Sequence, residues 1–234
     1  MKNHAWRLLA AALLVLNLTP VLAANAPRVR VTTSMGQFVI ELNPDRAPLT
    51  VANFLRYVRE GQYTDTLFHR VVGNFVIQGG GHTASDMHLK PAHDSIFNES
   101  GNGLQNKRGA VGLARSDAPH SGNAQFYVDI ADNPDLDPVA TRWGYAVFGR
   151  VVEGMDVVDR IGAVATGTVG PFKSDAPLKP IVIEKIDEIV SSAPAPAPSA
   201  PVAAPTVGPE APPAPPAPAA PPAAPAPSVN TPSH

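Results

Sequence analysis

The stretch Phe68-His69-Arg70-Val71-Val72-Gly73-Asn74-Phe75-Val76-Ile77-Gln78-Gly79-Gly80-Gly81 decides how the chain is read. Two short β-prone runs, 68–72 and 75–78, flank Gly73-Asn74, a pair suited to a tight turn. The three glycines are expected to open a loop that extends to about residue 106. Strand alternation puts Val76 and Gln78 on one face, and downstream, in Gln125-Phe126-Tyr127, it puts Gln125 and Tyr127 together. Two amides, an aromatic, an aliphatic and Arg70 therefore suit one shallow groove. Periodicity fits a second arrangement equally well, with Phe75 and Tyr127 in the core and Arg70 a surface cation.

Outward from this stretch the same grammar repeats. Arg28-Val29-Arg30-Val31-Thr32-Thr33 and Gln37-Phe38-Val39-Ile40-Glu41-Leu42 flank Ser34-Met35-Gly36 and predict a hairpin. Residues 48–60 place Val51, Phe54, Leu55 and Val58 at i, i+3, i+4 and i+7, with Pro48 near the start and Gly61 just past the end, so an amphipathic helix is expected there. Further strands are expected at 110–114, 125–130, 145–151 and 180–186. A second helix fits 154–161, with Met155, Val158 and Ile161 on one side and Gly162 as its stop. About eight strands and two helices without βαβ alternation argue for an antiparallel barrel or sandwich, and against a doubly wound nucleotide fold.

The ends differ in kind from this middle. Of 234 residues 27 are Pro, and 16 of those lie in residues 192–234 with 14 Ala, one carboxylate side chain (Glu210) and no Lys or Arg. Such a segment cannot build a core and reads as a disordered Ala/Pro-rich tail. Residues 1–24 carry Lys2 and Arg7, then the apolar run 8–16, then Val21-Leu22-Ala23-Ala24. That order is the grammar of a cleaved secretory signal. The apolar run falls short of the ~20 residues a span needs, so no stable membrane span is expected after cleavage. One domain, 25–191, lies between, and its expected compartment is the periplasm, with the outside of the cell as the other destination. Without Lys2 and Arg7, 16 basic residues face 20 acidic ones, which does not suit nucleic acid. With no Cys there is no disulfide framework, so the core alone must hold the fold.

Several chemistries are excluded or weakened by spacing. Gly79-Gly80-Gly81 is followed by no Lys-Ser/Thr and opens no helix, which argues against a phosphate loop. His82, His88, His93, Asp86 and Asp94 crowd one polar stretch, but their spacing matches no zinc pattern, and a solvated loop is the better reading. No G-x-S-x-G elbow supports a hydrolase triad.

Three blocks now stand in order: Phe68, His69, Arg70, Phe75, Gln78, Gly79 and Gly80 in the pattern F-H-R-x-x-x-x-F-x-x-Q-G-G; Ala124, Gln125 and Phe126; and the run from Gly144 to Met155. Together they closely resemble the cyclophilin family of peptidyl-prolyl cis/trans isomerases, in its exported bacterial branch, over roughly residues 28–190. The resemblance implies a mainly β fold, a closed eight-stranded antiparallel β-barrel capped by two α-helices. It implies Arg70 as the catalytic guanidinium, with Phe75 and Gln78 beside it. Phe75, Val76, Tyr127 and Leu136 are then the proline pocket, and Gln78, Ala114, Arg115 and Gln125 bind the substrate backbone. His69, Phe126 and Tyr145 complete the implied substrate-binding set.

The implied reaction is rotation about X-Pro bonds in exported proteins during their folding. It needs no cofactor and no metal, its partners are proline-containing unfolded or extended polypeptides, and a monomer is expected. The chain departs from the family pattern at three places. Tyr127 stands where Phe is frequent, which adds a hydroxyl to the pocket floor; Tyr145 stands where many members have His; Asp135 precedes Leu136 where an aromatic is common, with Trp143 available to take that place. The last change tells against binding of the macrocycle cyclosporin. These departures suit an alternative of another class, a non-catalytic chaperone or assembly factor that holds proline segments in the same groove. Retained Arg70, Phe75 and Gln78 argue for the enzyme.

Overall fold

The computed structural model describes residues 26–189, and the expected leader and Ala/Pro-rich tail lie outside the described residues. β1 (Arg28–Thr33) and β2 (Gly36–Leu42) form the expected hairpin. The Thr33 hydroxyl closes its turn, donating to the Gly36 carbonyl at 2.7 Å and accepting from the Met35 N–H at 3.1 Å. The other strands are β3 (Thr66–Val72), β4 (Val76–Thr83), β5 (Ala110–Leu113), β6 (Phe126–Asp129), β7 (Val147–Glu153), β8 (Thr166–Val169), β9 (Phe172–Pro177) and β10 (Val182–Ile189). All but β8 and β9 join in the order β1-β10-β3-β4-β6-β5-β7-β2, antiparallel throughout and closed on itself. Closure removes every sheet edge from this wall and encloses one apolar core.

Two helices pack against the barrel. α1 (Pro48–Arg59) buries Val51, Phe54, Leu55 and Val58, the stripe that the 3.6-residue period predicts. Its N-cap, Ala47, offers no side-chain oxygen. The Glu99 carboxylate takes that role from a distance, accepting from the N–H groups of Leu49 at 3.1 Å and Thr50 at 2.8 Å. Phe54 then reaches the rings of Tyr63, Phe126 and Phe148, with centroids 5.1–5.6 Å away. α2 (Met155–Gly162) starts at Gly154, whose φ of +77° lets β7 turn straight into the helix. A Cβ there would come within 2.5 Å of the Gln37 carbonyl oxygen, so only Gly fits. Val157 joins Val158 and Ile161 in the buried set of α2, while Met155 is only partly covered. Among the described residues no helix is long and apolar enough to cross a membrane.

The structure corrects the sequence reading at two places. Gly79-Gly80-Gly81 does not open a loop; β4 runs through it to Thr83. Each glycine yields to a neighbour, since a Cβ would meet the Leu67 carbonyl at 2.7 Å, the Tyr63 ring at 2.9 Å or Gln125 Cδ at 2.7 Å, in that order. The β8–β9 hairpin is an element the pattern did not announce, and it packs β9 against β3 outside the barrel sheet.

Candidate active site

Four barrel strands carry the site. Register pairs Arg70 of β3 with Gln78 of β4, Gln78 with Tyr127 of β6, and Tyr127 with Gly112 of β5. Their neighbours Val71, Ile77, Val128 and Val111 belong to the apolar core, so alternation turns this row to the outer face of the barrel. Glycines make room in it. A Cβ on Gly112 would overlap the Tyr127 ring, and one on Gly81 would strike the Gln125 side chain.

The side chains form a connected set. Arg70 Nη1 donates to Gln78 Oε1 at 3.4 Å, and Gln78 Nε2 donates to Gln125 Oε1 at 3.2 Å. Arg70 Cζ stands 5.9 Å from the centre of the Phe75 ring, and Arg70 Nε lies 3.9 Å from Asp175 Oδ2. With Arg70 38% and Asp175 41% exposed, that ion pair is weak, and the guanidinium keeps donors open to a ligand. Val76 is buried and Phe75 half-buried beside it.

Tyr127 lies buried below, its hydroxyl donating to Asn106 Oδ1 at 2.5 Å. Burial pushes that phenol well above its ordinary pKa, so it remains a neutral donor. The Tyr145 ring meets Tyr127 edge-on with centroids 6.0 Å apart, Arg115 Cζ sits 4.3 Å above Tyr145, and the Tyr145 N–H donates to the Leu136 carbonyl at 2.9 Å. Arg115 is fixed there by the carbonyls of Gly144 at 3.1 Å and Trp143 at 2.9 Å. From Gln78 and Gln125 a groove of about 540 Å³ continues past Ala114 and Arg115, with Leu89 to Ala92 also lining it. Two larger cavities, each about 740 Å³, lie along α1 and beside β2 and β7, and neither contains a residue of the connected set.

Two expected site residues are not in this groove. Phe126 points into the barrel against Phe54, Tyr63 and Phe68, because it alternates with Tyr127 on a two-residue period. His69 is covered by β9, its ring 4.5 Å from that of His82 and 5.4 Å from that of Phe172. Burial, reinforced by His82, lowers the His69 pKa to about 4, so it is neutral. Asp135 is exposed, and Trp143 does not replace an aromatic in the pocket; it packs edge-on to Phe97 and His120 on the surface. Asn106, Asn133, Asp129 and Asp175 belong to no motif in the sequence, and only the fold brings Asn106 to the Tyr127 hydroxyl, Asn133 to Asp129 and Asp175 to Arg70. The only local signal was Tyr127 itself, since a buried hydroxyl needs a partner.

The family model described as Cyclophilin type peptidyl-prolyl cis-trans isomerase/CLD matches residues 28–188. The chain belongs to the cyclophilin family. Among its relatives, peptidyl-prolyl cis-trans isomerase A of Dickeya dadantii is 45% identical over 182 residues, covering 76% of this chain and 95% of the relative. Peptidyl-prolyl cis-trans isomerase cyp18 of Streptomyces antibioticus is 50% identical over 159 residues, covering 67% and 95%. A cyclophilin-type isomerase from Cryptosporidium parvum, crystallised in the presence of the dipeptide Ala-Pro, aligns with TM-score 0.58 at 26% identity, covering 68% of this chain and 96% of that one. This cyclophilin is an enzyme of the peptidyl-prolyl cis-trans isomerase class.

Proposed function

We propose that this cyclophilin speeds rotation about X-Pro bonds in exported proteins, in the periplasm and as a monomer, with Arg70 at the reacting amide. Rotation must break amide resonance, a barrier of ~18–20 kcal/mol, and neither makes nor breaks a covalent bond. In the twisted state the proline nitrogen gains a lone pair. A donor placed there binds that state better than either planar isomer, and Arg70 is permanently charged and rich in donors. A 10⁴-fold acceleration corresponds to roughly 5.5 kcal/mol, whereas one charge-assisted hydrogen bond supplies about 1.5–3. The remainder comes from anchoring: Phe75, Val76, Tyr127 and Leu136 hold the ring, while Gln78, Ala114, Arg115 and Gln125 hold the flanking backbone so that one side turns against a fixed other side.

The observation that carries this reading is the Arg70–Gln78–Gln125 chain beside the Phe75 ring. The test is NMR exchange of a short Ala-Pro peptide with the full chain and with Arg70→Ala. Cis/trans exchange should be fast with the first and nearly lost with a folded second that still broadens the peptide lines. Equal exchange rates in the two proteins would remove Arg70 from the reaction; broadening without faster exchange in either would make the groove a holder of proline segments. The mass of the protein recovered from the periplasmic fraction should correspond to loss of residues 1–23 or 1–24, and a chain retaining Met1 in the cytoplasm would refute the compartment. With Asp135 offering no ring beside Leu136, cyclosporin should inhibit weakly.

A further inference from the structure

Beneath Tyr127 the chain buries a polar cluster: Asn106 is 1% exposed, Asn133 7% and Asp129 0%. Asn106 Oδ1 accepts from the Tyr127 hydroxyl, while the Asn106 N–H and Nδ2 both donate to Asp137 Oδ1 at 2.8 Å. The Asn106 carbonyl accepts from the Asn133 N–H at 2.7 Å. Asn133 Nδ2 in turn donates to the Phe75 carbonyl at 2.9 Å and to Asp129 Oδ1 at 2.6 Å. Two asparagines thus link the backbone of Phe75 to the hydroxyl of Tyr127.

We propose that Asn106 and Asn133 are positioning residues for the isomerase, a buried bracket that ties the Phe75 wall of the proline pocket to its Tyr127 floor and sets the width between them. The proposal rests on Phe75 and Tyr127 lining that pocket. Phe75 stands in the β3–β4 connection, directly after Asn74 at φ +57°, and not within a strand. Its carbonyl is held by Asn133 and by the Ile130 N–H at 2.9 Å. Tyr127 lies over a glycine, and its hydroxyl is tied to Asn106. Chemistry that depends on holding one ring against a guanidinium is sensitive to displacements of about 1 Å, so a bracket between wall and floor acts on rate.

Asp129 supplies a readout. Burial raises its carboxyl to about 7, and Asp137 and Asp132 add to the rise, against the bond from Asn133. Its second oxygen has no partner. The groups facing it are Asp132 and Asp137 from the segment after β6 and Tyr127 from β6; Arg108 sends its guanidinium instead to the Ile130 carbonyl and Asp159. The carboxylate grips the Asn133 amide harder than the acid does, so kcat/KM should fall as pH drops through the neighbourhood of 7.

The test measures kcat and KM of the full chain on a proline peptide across that pH range, with a thermal melt of every variant. Tyr127→Phe and Asn106→Leu should each lower kcat about three- to tenfold, and Tyr127→Phe should cost nothing further in the Asn106→Leu background. Asp129→Asn, which keeps size and acceptor, should abolish the pH step. Effects that simply multiply, an unchanged pH step, or lower melting temperatures with unchanged kcat overturn the bracket. If Asn106→Leu does not fold, Tyr127→Phe and Asp129→Asn decide alone. A fully active Phe75→Ala overturns pocket and bracket together, whereas an impaired Phe75→Ala with multiplying effects strikes the bracket only.

Discussion

Strand β6 is buried on both faces, and the two faces are built from opposite chemistry. Phe126 and Val128 point into the barrel, where Phe126 meets Phe54, Tyr63 and Phe68 edge-on with centroids 5.6–6.0 Å away. Tyr127 and Asp129 point outward, are just as covered, and are held by single hydrogen bonds to Asn106 and Asn133. The inward face gains from apolar area and many weak contacts, so it tolerates small changes of direction. The outward face depends on particular donors and acceptors, and it fails when one is left alone. Burial therefore does not separate core from site in this barrel; the chemistry of what covers a side chain does.

The sharpest way to break that comparison is to truncate adjacent residues. Phe126→Ala should destabilise the barrel by about 3–5 kcal/mol in denaturant melts, whereas Tyr127→Phe, one position on, should cost about 1 kcal/mol and show itself in turnover. Equal losses of stability would erase the distinction.

A second contrast is in pH. Asp129, raised to about 7 when folded against roughly 3.9 when unfolded, makes the folded chain hold the extra proton, so it withdraws stability as pH climbs from about 4 to 7. His69, lowered to about 4 against roughly 6.5, does the reverse and adds stability as pH climbs from about 4 to 6.5. The two contributions oppose each other over their shared window. Asp129→Asn should unmask the His69 rise, roughly 3 kcal/mol between about pH 4 and 6.5, read from urea midpoints. Parallel stability curves for the wild type and the variant would refute the opposition.

A further contrast with Phe126 concerns the glycine beneath the Tyr127 ring. Gly112→Ala should cost about 1–3 kcal/mol, because the new methyl must displace the Tyr127 ring, and kcat should fall with it. An alanine that leaves both untouched would mean the ring has slack.

Much of the barrel was legible because its signals are local. The eight strands of the wall and both helices follow from runs such as Val29-Val31 and Phe38-Ile40-Leu42 and from the Val51, Phe54, Leu55, Val58 stripe. The β8–β9 hairpin was not, since Thr166–Val169 is half-exposed along its length and Phe172 is the only large apolar residue in β9. The glycine run misled in the other direction. It looks like a loop, yet its glycines serve close approach inside a strand, as only the positions of Tyr63, Leu67 and Gln125 reveal. The resemblance implies His69 and Phe126 as substrate-binding residues, yet the two-residue period assigns Phe126 to the face opposite Tyr127, and only the fold shows Phe172 of β9 lying over His69.

The order of the eight wall strands and the two helices, the motif residues Arg70, Phe75, Gln78 and Gln125, and the membership of the family were written in the sequence, because turns, periodicity and motif spacing are properties of neighbouring residues. Which strands meet, and in what register, was decided by the tertiary structure, and with it the row from Arg70 to Gly112 and the meeting of Tyr127 with Asn106 and of Asn133 with the Phe75 carbonyl. Those partners come from separate segments of the chain, and a buried hydrogen bond is chosen by geometry at closure, when the loops after β4 and β6 fold over an outer face that would otherwise be wet.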